Sequence, residues 1–289
     1  MSQSTAHTAA APQTSLPRTA IIGVGSMGGA ILAGLRDPAV RIERPIAVTT
    51  HSAASAAAFE GAGDLVVFAA EATADANQRA VQGAGLVILG VKPWAIIDVA
   101  REIADALEPG AIVVSVAAGV PTRKIEEVLP ESVSVVRAMP NTPSLIGRGV
   151  TGIAGGVSAS ADAIATVRRL FETVGSVLVV TEEQINAVGA VSGSGPAYLY
   201  LFAEEMTAAA IRLGFDREQA SLLAQGTIAG AAELMARSDE DPTQLRRNVT
   251  SPKGTTEQAL NVLQAAGWAE LFDRALAANV RRSEELAAE

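Results

Sequence analysis

The sequence predicts an α/β protein in two parts: a doubly wound sheet, then a half made only of helices. Three observations predict it. From residue 19 to about 180, short β-rich runs that are apolar on both faces alternate with stretches of helical spacing, as strands buried in a parallel sheet do. From residue 181 onward, alanine- and leucine-rich stretches repeat with helical periodicity. Where the first strand gives way to the first helix, the chain reads Gly23-Val-Gly25-Ser26-Met27-Gly28, the spacing of a Rossmann-type glycine loop.

The elements follow in order. Apolar runs over 19–24, 46–49, 86–90, 112–116 and 133–137 are expected strands. Runs over 150–154 and 177–180, flanking a helical stretch over 161–173, extend the sheet, and 65–68 is a further candidate strand. Helical spacing over 28–35, 53–59 and 96–107 lies between them, so right-handed βαβ units are expected. In the second half, helices are expected over 197–213, 217–237, 255–266 and 268–286, with breaks at Gly214, Asp241-Pro242, Ser251-Pro252 and Gly267. The expected divisions are a disordered tail over 1–17, a dinucleotide-binding domain over 18–180 and a helical domain over 181–289.

Composition narrows the chemistry. A chain of 289 residues that is 49% hydrophobic can bury a large core and suits two domains. A net charge of -9 argues against a nucleic-acid or anionic-membrane partner, since no basic field draws phosphates in. There is no cysteine, and the only histidines are His7 and His51. Thiolate catalysis is thereby excluded, a histidine metal centre or triad has too few members, and no metal is expected. The first 17 residues lack the basic start and apolar block of a signal peptide, and no apolar run nears the ~18–20 residues of a membrane span. A soluble, cytoplasmic protein is expected. The helical half is too apolar to bury itself alone, so a homodimer with intertwined helical halves is expected.

Each glycine of the first loop has a physical task. Gly23 permits the tight turn, Gly25 lets the backbone approach a pyrophosphate, and Gly28 lets helix and strand pack closely. The helix start then offers unpaired N–H groups to an anion. An NAD site usually places an acid about 20 residues further on, at the end of the second strand. Here that end reads Val48-Thr49-Thr50-His51-Ser52, without an acid, so NADPH is favoured and NADH stays possible. Ser52 serves equally as the cap of the following helix. Val91-Lys92-Pro93 closes a central strand, where Lys92 faces the ligand crevice or stands as a solvated surface lysine. Ala117-Ala118-Gly119 closes the next and offers a floor for a nicotinamide ring.

Two later stretches put small, hydroxyl-bearing loops at helix starts: Ser192-Gly-Ser-Gly-Pro196, and Ser251-Pro-Lys-Gly-Thr-Thr256. Each can aim backbone N–H groups at an anionic substrate. Thr255 or Thr256 would ordinarily be read as a simple N-cap, and that reading suits one of the two.

Taken with Arg137-Ala-Met-Pro-Asn-Thr-Pro143, Ala197-Tyr198 and Asn248, these motifs make the chain from residue 19 to 286 resemble pyrroline-5-carboxylate reductase. The two later motifs are specific to that family; the glycine loop alone is not. The resemblance implies an imine reductase that converts L-1-pyrroline-5-carboxylate to L-proline with NADPH or NADH, the last step of proline synthesis. It implies coenzyme contacts from Gly23 to Gly28 (with Gly25, Ser26 and Met27), Thr49, Thr50, Asn77, Val91, Lys92, Pro93, Ala117, Ala118 and Asn248. It implies a substrate carboxylate held around Ser251, Gly254, Thr255 and Thr256 with Ser192 nearby, Thr256 hydrogen-bonding the ring nitrogen, and Glu182 favouring its cationic form. It also implies a helical dimerisation domain, and dimers that assemble into decamers.

Two positions depart from the family pattern. Ser26 stands where many relatives carry Asn, and still donates to phosphate. Lys253 replaces a glycine of Ser-Pro-Gly-Gly-Thr-Thr; if that position needs positive φ, lysine costs on the order of 1 kcal/mol there. Two other classes compete. A β-hydroxyacid dehydrogenase relies on a lysine from its helical domain, and no lysine lies between Glu182 and Pro252. A non-catalytic dinucleotide sensor needs the glycine loop but neither later loop.

Overall fold

The computed structural model describes residues 15–288. The disordered tail expected over 1–17 lies, for 1–14, outside the described residues. The rest of that expectation is corrected. Leu16 donates its N–H to the Arg41 carbonyl (2.8 Å), accepts from Glu43 N–H (3.0 Å) and buries its side chain beside Val40 and Ile42. An apolar residue next to the first strand completes the sheet's cover, which a sequence rich in Ser and Pro disguises.

Among the described residues, the chain forms two compact units. One contains everything up to Gly193 together with Val280 onward, and the other is Ser194–Asn279. The first unit runs β1 (Thr19–Ile22), α1 (Ser26–Leu35), β2 (Ile46–Thr50), α2 (Ala53–Ala57), β3 (Leu65–Ala69), α3 (Ala76–Val81) and β4 (Leu86–Leu89). It continues with α4 (Ile96–Ile103), β5 (Ile112–Ser115), α5 (Thr122–Glu126), β6 (Ser134–Met139), β7 (Gly149–Gly155), α6 (Ala161–Glu172), β8 (Gly175–Val179) and α7 (Ile185–Val188). Every expected strand is present within two residues of its expected ends. Helices α3, α5 and α7 were not expected, because runs of six, five and four residues are too short to display a helical period.

The eight strands form one sheet in the order β3-β2-β1-β4-β5-β6-β7-β8. Neighbours are parallel through β6, as the sequence implied; β7 then runs antiparallel to β6. The reversal has a simple cause. Between Met139 and Gly149 the chain makes only a short turn through the 3₁₀ segment Thr142–Ile146, too little for a crossover. After α6, β8 returns parallel to β7.

Alternation along each strand sends neighbours to opposite faces. Ile21, Ile88 and Val114 pack with Leu35 and Phe171 on one side of the sheet. Ile22, Leu89 and Val113 pack with Ile96 and Ile103 on the other. All of these are buried. At the rim by β3, Asp64 accepts from Arg36 (2.9 Å) and Arg44 (2.8 Å), tying the ends of α1, β2 and β3 together. The Arg36 hydrogen bond, ahead of the charges of Arg36 and Arg44, holds the Asp64 carboxyl below its ordinary range.

The second unit holds α8 (Gly195–Arg212), α9 (Arg217–Arg237), α10 (Pro242–Asn248), α11 (Thr255–Ala265) and most of α12 (Trp268–Ala288). Asp216 and Gln219 form a capping box at the start of α9. Asp241 caps α10, with Pro242 at its first position, where a missing N–H costs nothing. This seven-residue helix was not expected. Within the unit only Ala220 and Ala224 are buried, while Leu213, Leu222 and Val262 are more than two-thirds exposed. So much bare apolar surface on a single copy marks an interface.

Two outcomes follow. Sizing chromatography at micromolar concentration is expected to give no monomer peak. In Asp64→Asn, a loss of about 0.5–1 kcal/mol is expected at neutral pH. The sign of its pH dependence comes from the lowered carboxyl: the loss is complete above the unfolded carboxylate range and vanishes as pH falls through the folded value. Urea melts of both proteins from pH 7 down to pH 3 check it.

Candidate active site

The glycine loop begins where β1 ends. Gly23 adopts φ +87°, and a Cβ there would lie 2.9 Å from Val91 Cγ1. Gly28 packs so closely that a Cβ would sit 2.6 Å from the Gly23 carbonyl oxygen. Gly25, by contrast, has nothing within 4 Å of where a Cβ would stand. It is also the N-cap of α1 and supplies no side-chain cap. The first turn of α1 therefore starts at an exposed, uncapped glycine with room beside it, the kind of cradle a pyrophosphate requires. The loop fits a dinucleotide.

Thr49 and Thr50, expected as hydroxyl donors to the coenzyme, are both buried. Thr49 Oγ1 accepts from Gly23 N–H (3.0 Å) and its carbonyl accepts from Val24 N–H (2.9 Å), so it braces the glycine turn. Thr50 donates its hydroxyl to the Ser52 carbonyl (3.0 Å). Both hydroxyls thus meet backbone groups around the end of β2, Thr49 the glycine turn and Thr50 the Ser52 carbonyl. Ser52 Oγ caps α2 through Ser55 N–H. His51 remains exposed. An acid absent from β2 nonetheless reaches its end. Glu71, just past β3, accepts from Ala53 N–H through Oε1 (2.7 Å).

Further along the same sheet edge, Val91 is half-buried and Lys92 is exposed. Pro93 opens a short 3₁₀ turn. Ala117 is buried with its N–H on Ser115 Oγ (3.3 Å), whereas Ala118 is exposed. These residues occupy the carboxyl ends of the neighbouring strands β4 and β5, where doubly wound sheets receive ligands. Asn77 lies on α3, and its amide nitrogen donates to Glu102 on α4 (2.9 Å).

Glu182 opens the short 3₁₀ turn that follows β8. Its Oε1 pairs with Nη1 of the buried Arg137 (3.1 Å) and accepts from Thr122 N–H (3.3 Å). Its Oε2 is buried without a hydrogen-bond partner. Arg137 Nη2 donates to Asn186 Oδ1 (2.9 Å). A guanidinium inside a β-strand needs a counter-charge, and Glu182 provides it. Ser192 sits in the π-helical turn Gly189–Gly193 and donates Oγ to the Val150 carbonyl (3.1 Å). Asn141, given no role in the sequence reading, holds this turn to β7. It donates to the Ser192 carbonyl (3.1 Å) and accepts from Val150 N–H (2.9 Å). Its motif was legible; its task was not.

In the second unit, Gly254 is the N-cap of α11 and offers no side-chain cap, so neither Thr255 nor Thr256 plays that role. Both threonines are exposed at the first two helical positions. Ser251 accepts from Gly254 N–H (3.0 Å), and its side chain occupies the space a Cβ of residue 254 would fill. Lys253 has φ +61°, the left-handed conformation. Its N–H donates to Glu257 (2.8 Å). Asn248, expected to touch the coenzyme, has both halves of its amide engaged nearby. It donates to Glu240 (2.7 Å) and accepts from Gln244 (2.8 Å), one turn back on α10.

Comparison with known proteins agrees with both units. A family model described as NADP oxidoreductase, coenzyme F420-dependent, matches residues 18–119. One described as pyrroline-5-carboxylate reductase dimerisation matches residues 182–286. The pyrroline-5-carboxylate reductase of Pseudomonas aeruginosa is 42% identical over 277 residues, covering 94% of this chain and 98% of that one. The chain belongs to the pyrroline-5-carboxylate reductase family. Among solved structures, the pyrroline-5-carboxylate reductase of Coxiella burnetii superposes with a TM-score of 0.85 at 37% identity, covering 94% of this chain and 99% of that one. The Plasmodium falciparum reductase, solved with NADP bound, gives a TM-score of 0.78 at 25% identity, covering 93% and 98%.

Within this reductase family member, the loop geometry separates two glycines. Gly25→Ala is expected to keep its melting temperature and raise the coenzyme Kd at least about tenfold, as its open space is filled. Gly28→Ala is expected to lose stability instead, because the Gly23 carbonyl must move. Lys253→Gly is expected to gain about 1 kcal/mol by relieving the left-handed backbone. Thermal melts and coenzyme titrations of the three variants check all of this.

Proposed function

We propose that this protein reduces L-1-pyrroline-5-carboxylate to L-proline with NADPH, also accepting NADH, as the last step of proline synthesis. One observation carries the reading most directly. Helices α1 and α11 each start at a glycine that supplies no side-chain cap, leaving first-turn N–H groups for an anion. At α1 the anion is the coenzyme's pyrophosphate, with Ser26 and Met27 contributing N–H groups and Gly25 giving room. At α11 it is the substrate carboxylate, met by N–H groups at Thr255 and Thr256, with Gly254 N–H tied back to the Ser251 carbonyl in the turn behind them. The NADP bound by the Plasmodium relative supports the first assignment.

When bound, the reduced nicotinamide supplies a hydride. The remaining work is positioning. A cyclic imine that arrives protonated already attracts hydride at carbon, so no histidine or cysteine is needed. Thr256 hydrogen-bonds the ring nitrogen and fixes the ring by two points, nitrogen and carboxylate. Ser192 and Asn141 keep the turn before α8 in place. Glu182 acts as a positioning residue, holding Arg137 and the start of α5. Val91, Lys92, Pro93, Ala117 and Ala118 line the coenzyme's path along the strand ends, and Asn77 reaches it from α3. For Asn248 we assign a supporting role in the loop before α11.

The lysine-dependent hydroxyacid chemistry of the related dehydrogenases has no residue to carry it between Glu182 and Pro252. The active form is a homo-oligomer built on the dimerisation domain, with the decamer as its larger assembly. No described helix is long and apolar enough to cross a membrane. Absorbance of NADPH followed with and without pyrroline-5-carboxylate tests the reading; no substrate-dependent decay with either coenzyme would sink it. Thr256→Ala is expected to lower kcat/KM about 10–100-fold, and Thr256→Ser to restore most of it. An unchanged kcat/KM in the alanine variant removes Thr256 from the mechanism.

A further inference from the structure

The end of β2 is where a dinucleotide-binding sheet meets the adenosine ribose, and where a carboxylate or its absence decides how a 2′-phosphate is received. Read along the chain, this end has no acid. Read across the sheet, it has one. The ladder between β2 and β3 pairs Thr50 with Ala69 and continues beyond both strands: Ala70 N–H donates to the Thr50 carbonyl (2.9 Å) and Glu71 N–H to the His51 carbonyl (3.2 Å). Glu71 is thereby pinned beside His51. Its Oε1 then accepts from Ala53 N–H (2.7 Å), which turns the carboxylate across the β2 terminus. Glu71 is exposed, and among the described residues it makes no ion pair with a lysine or arginine.

Of the charged or titratable groups near this end, exposed His51 and Arg79 among them, Glu71 is the acid held against the β2 terminus. Thr49 and Thr50 are buried and spent on backbone groups, and Ser52 caps α2. Arg79, on α3, lies over the Phe68 ring (5.0 Å). We infer that Glu71 is a coenzyme-discriminating residue. Its carboxylate takes the place of the acid missing from β2, favours the ribose hydroxyls of NADH as hydrogen-bond donors, and opposes the dianionic 2′-phosphate of NADPH. This rests on the coenzyme reading above, and it explains how an enzyme of this kind accepts both coenzymes: the strand end lacks an acid of its own, and a borrowed one restrains the phosphate.

Glu71→Gln is the informative variant. The amide oxygen still accepts from Ala53 N–H, so the local fold is kept and only the charge is removed. The expected result is a rise of about tenfold in the ratio of kcat/KM for NADPH to that for NADH, the scale of one nearby like charge in water. The same change is expected without turnover: 2′,5′-ADP gains about tenfold in affinity over ADP by calorimetry, and the gain shrinks with added salt. Ratios within twofold of wild type, in an enzyme whose melting temperature is unchanged, overturn the inference. The two readings fail separately. A protein that reduces no cyclic imine but shows the 2′,5′-ADP shift loses the proposed function and keeps the Glu71 assignment. An active reductase without the shift does the reverse.

Discussion

The contact between Gly28 and the Gly23 carbonyl sets the geometry on which the coenzyme half depends. Two backbones approach to a distance that no side chain permits, and that closeness aims the first turn of α1 back over the end of β1. Thr49 then locks the turn from the neighbouring strand, accepting from Gly23 with its hydroxyl and from Val24 with its carbonyl. Four hydrogen-bonding groups, the N–H groups of Gly23 and Val24 and the hydroxyl and carbonyl of Thr49, are thereby satisfied. The N–H groups left over are those of the helix start, which follows Gly25, the one of these three loop glycines with open space beside it. An anion site arises as the residue of a packing problem solved with glycines.

The helical unit repeats the device with different means. Gly254 stands at the N-cap of α11, and the turn before it contains Lys253 in a left-handed conformation. Glu257 stabilises that turn by accepting from Lys253 N–H, as a capping residue three positions into the helix does. Glu257 satisfies the N–H that precedes the cap and leaves those that follow it. The strain at residue 253 and the openness of the helix start therefore belong to the same arrangement.

Much of this was legible in the sequence, and the parts that were not share a cause. All eight strands and the long helices announce themselves through periodicity, and Gly23, Gly25 and Gly28 through spacing. The four short helices were invisible because a turn or two shows no period. The antiparallel β7 was invisible because direction follows from the length of a connection rather than from composition. At the site, a motif shows which residues gather but not what each side chain bonds. Thr49 and Thr50 meet backbone groups around the end of β2, Glu182 pairs with the buried Arg137, and Asn248 bonds the side chains of Glu240 and Gln244. Glu71 was missed because it reaches the end of β2 from β3, and adjacency across a sheet is not adjacency along a chain.

The central claim is that the uncapped starts of α1 and α11 are the two anion-binding positions, one for the coenzyme and one for the substrate acid. Hydrogen–deuterium exchange of the full-length protein, alone and with saturating NADP⁺ or L-proline, measures this directly. The account predicts that NADP⁺ slows exchange in peptides covering 23–29 and that L-proline slows it in peptides covering 253–258. Slowing of neither region, or protection by both ligands confined to other segments, contradicts it.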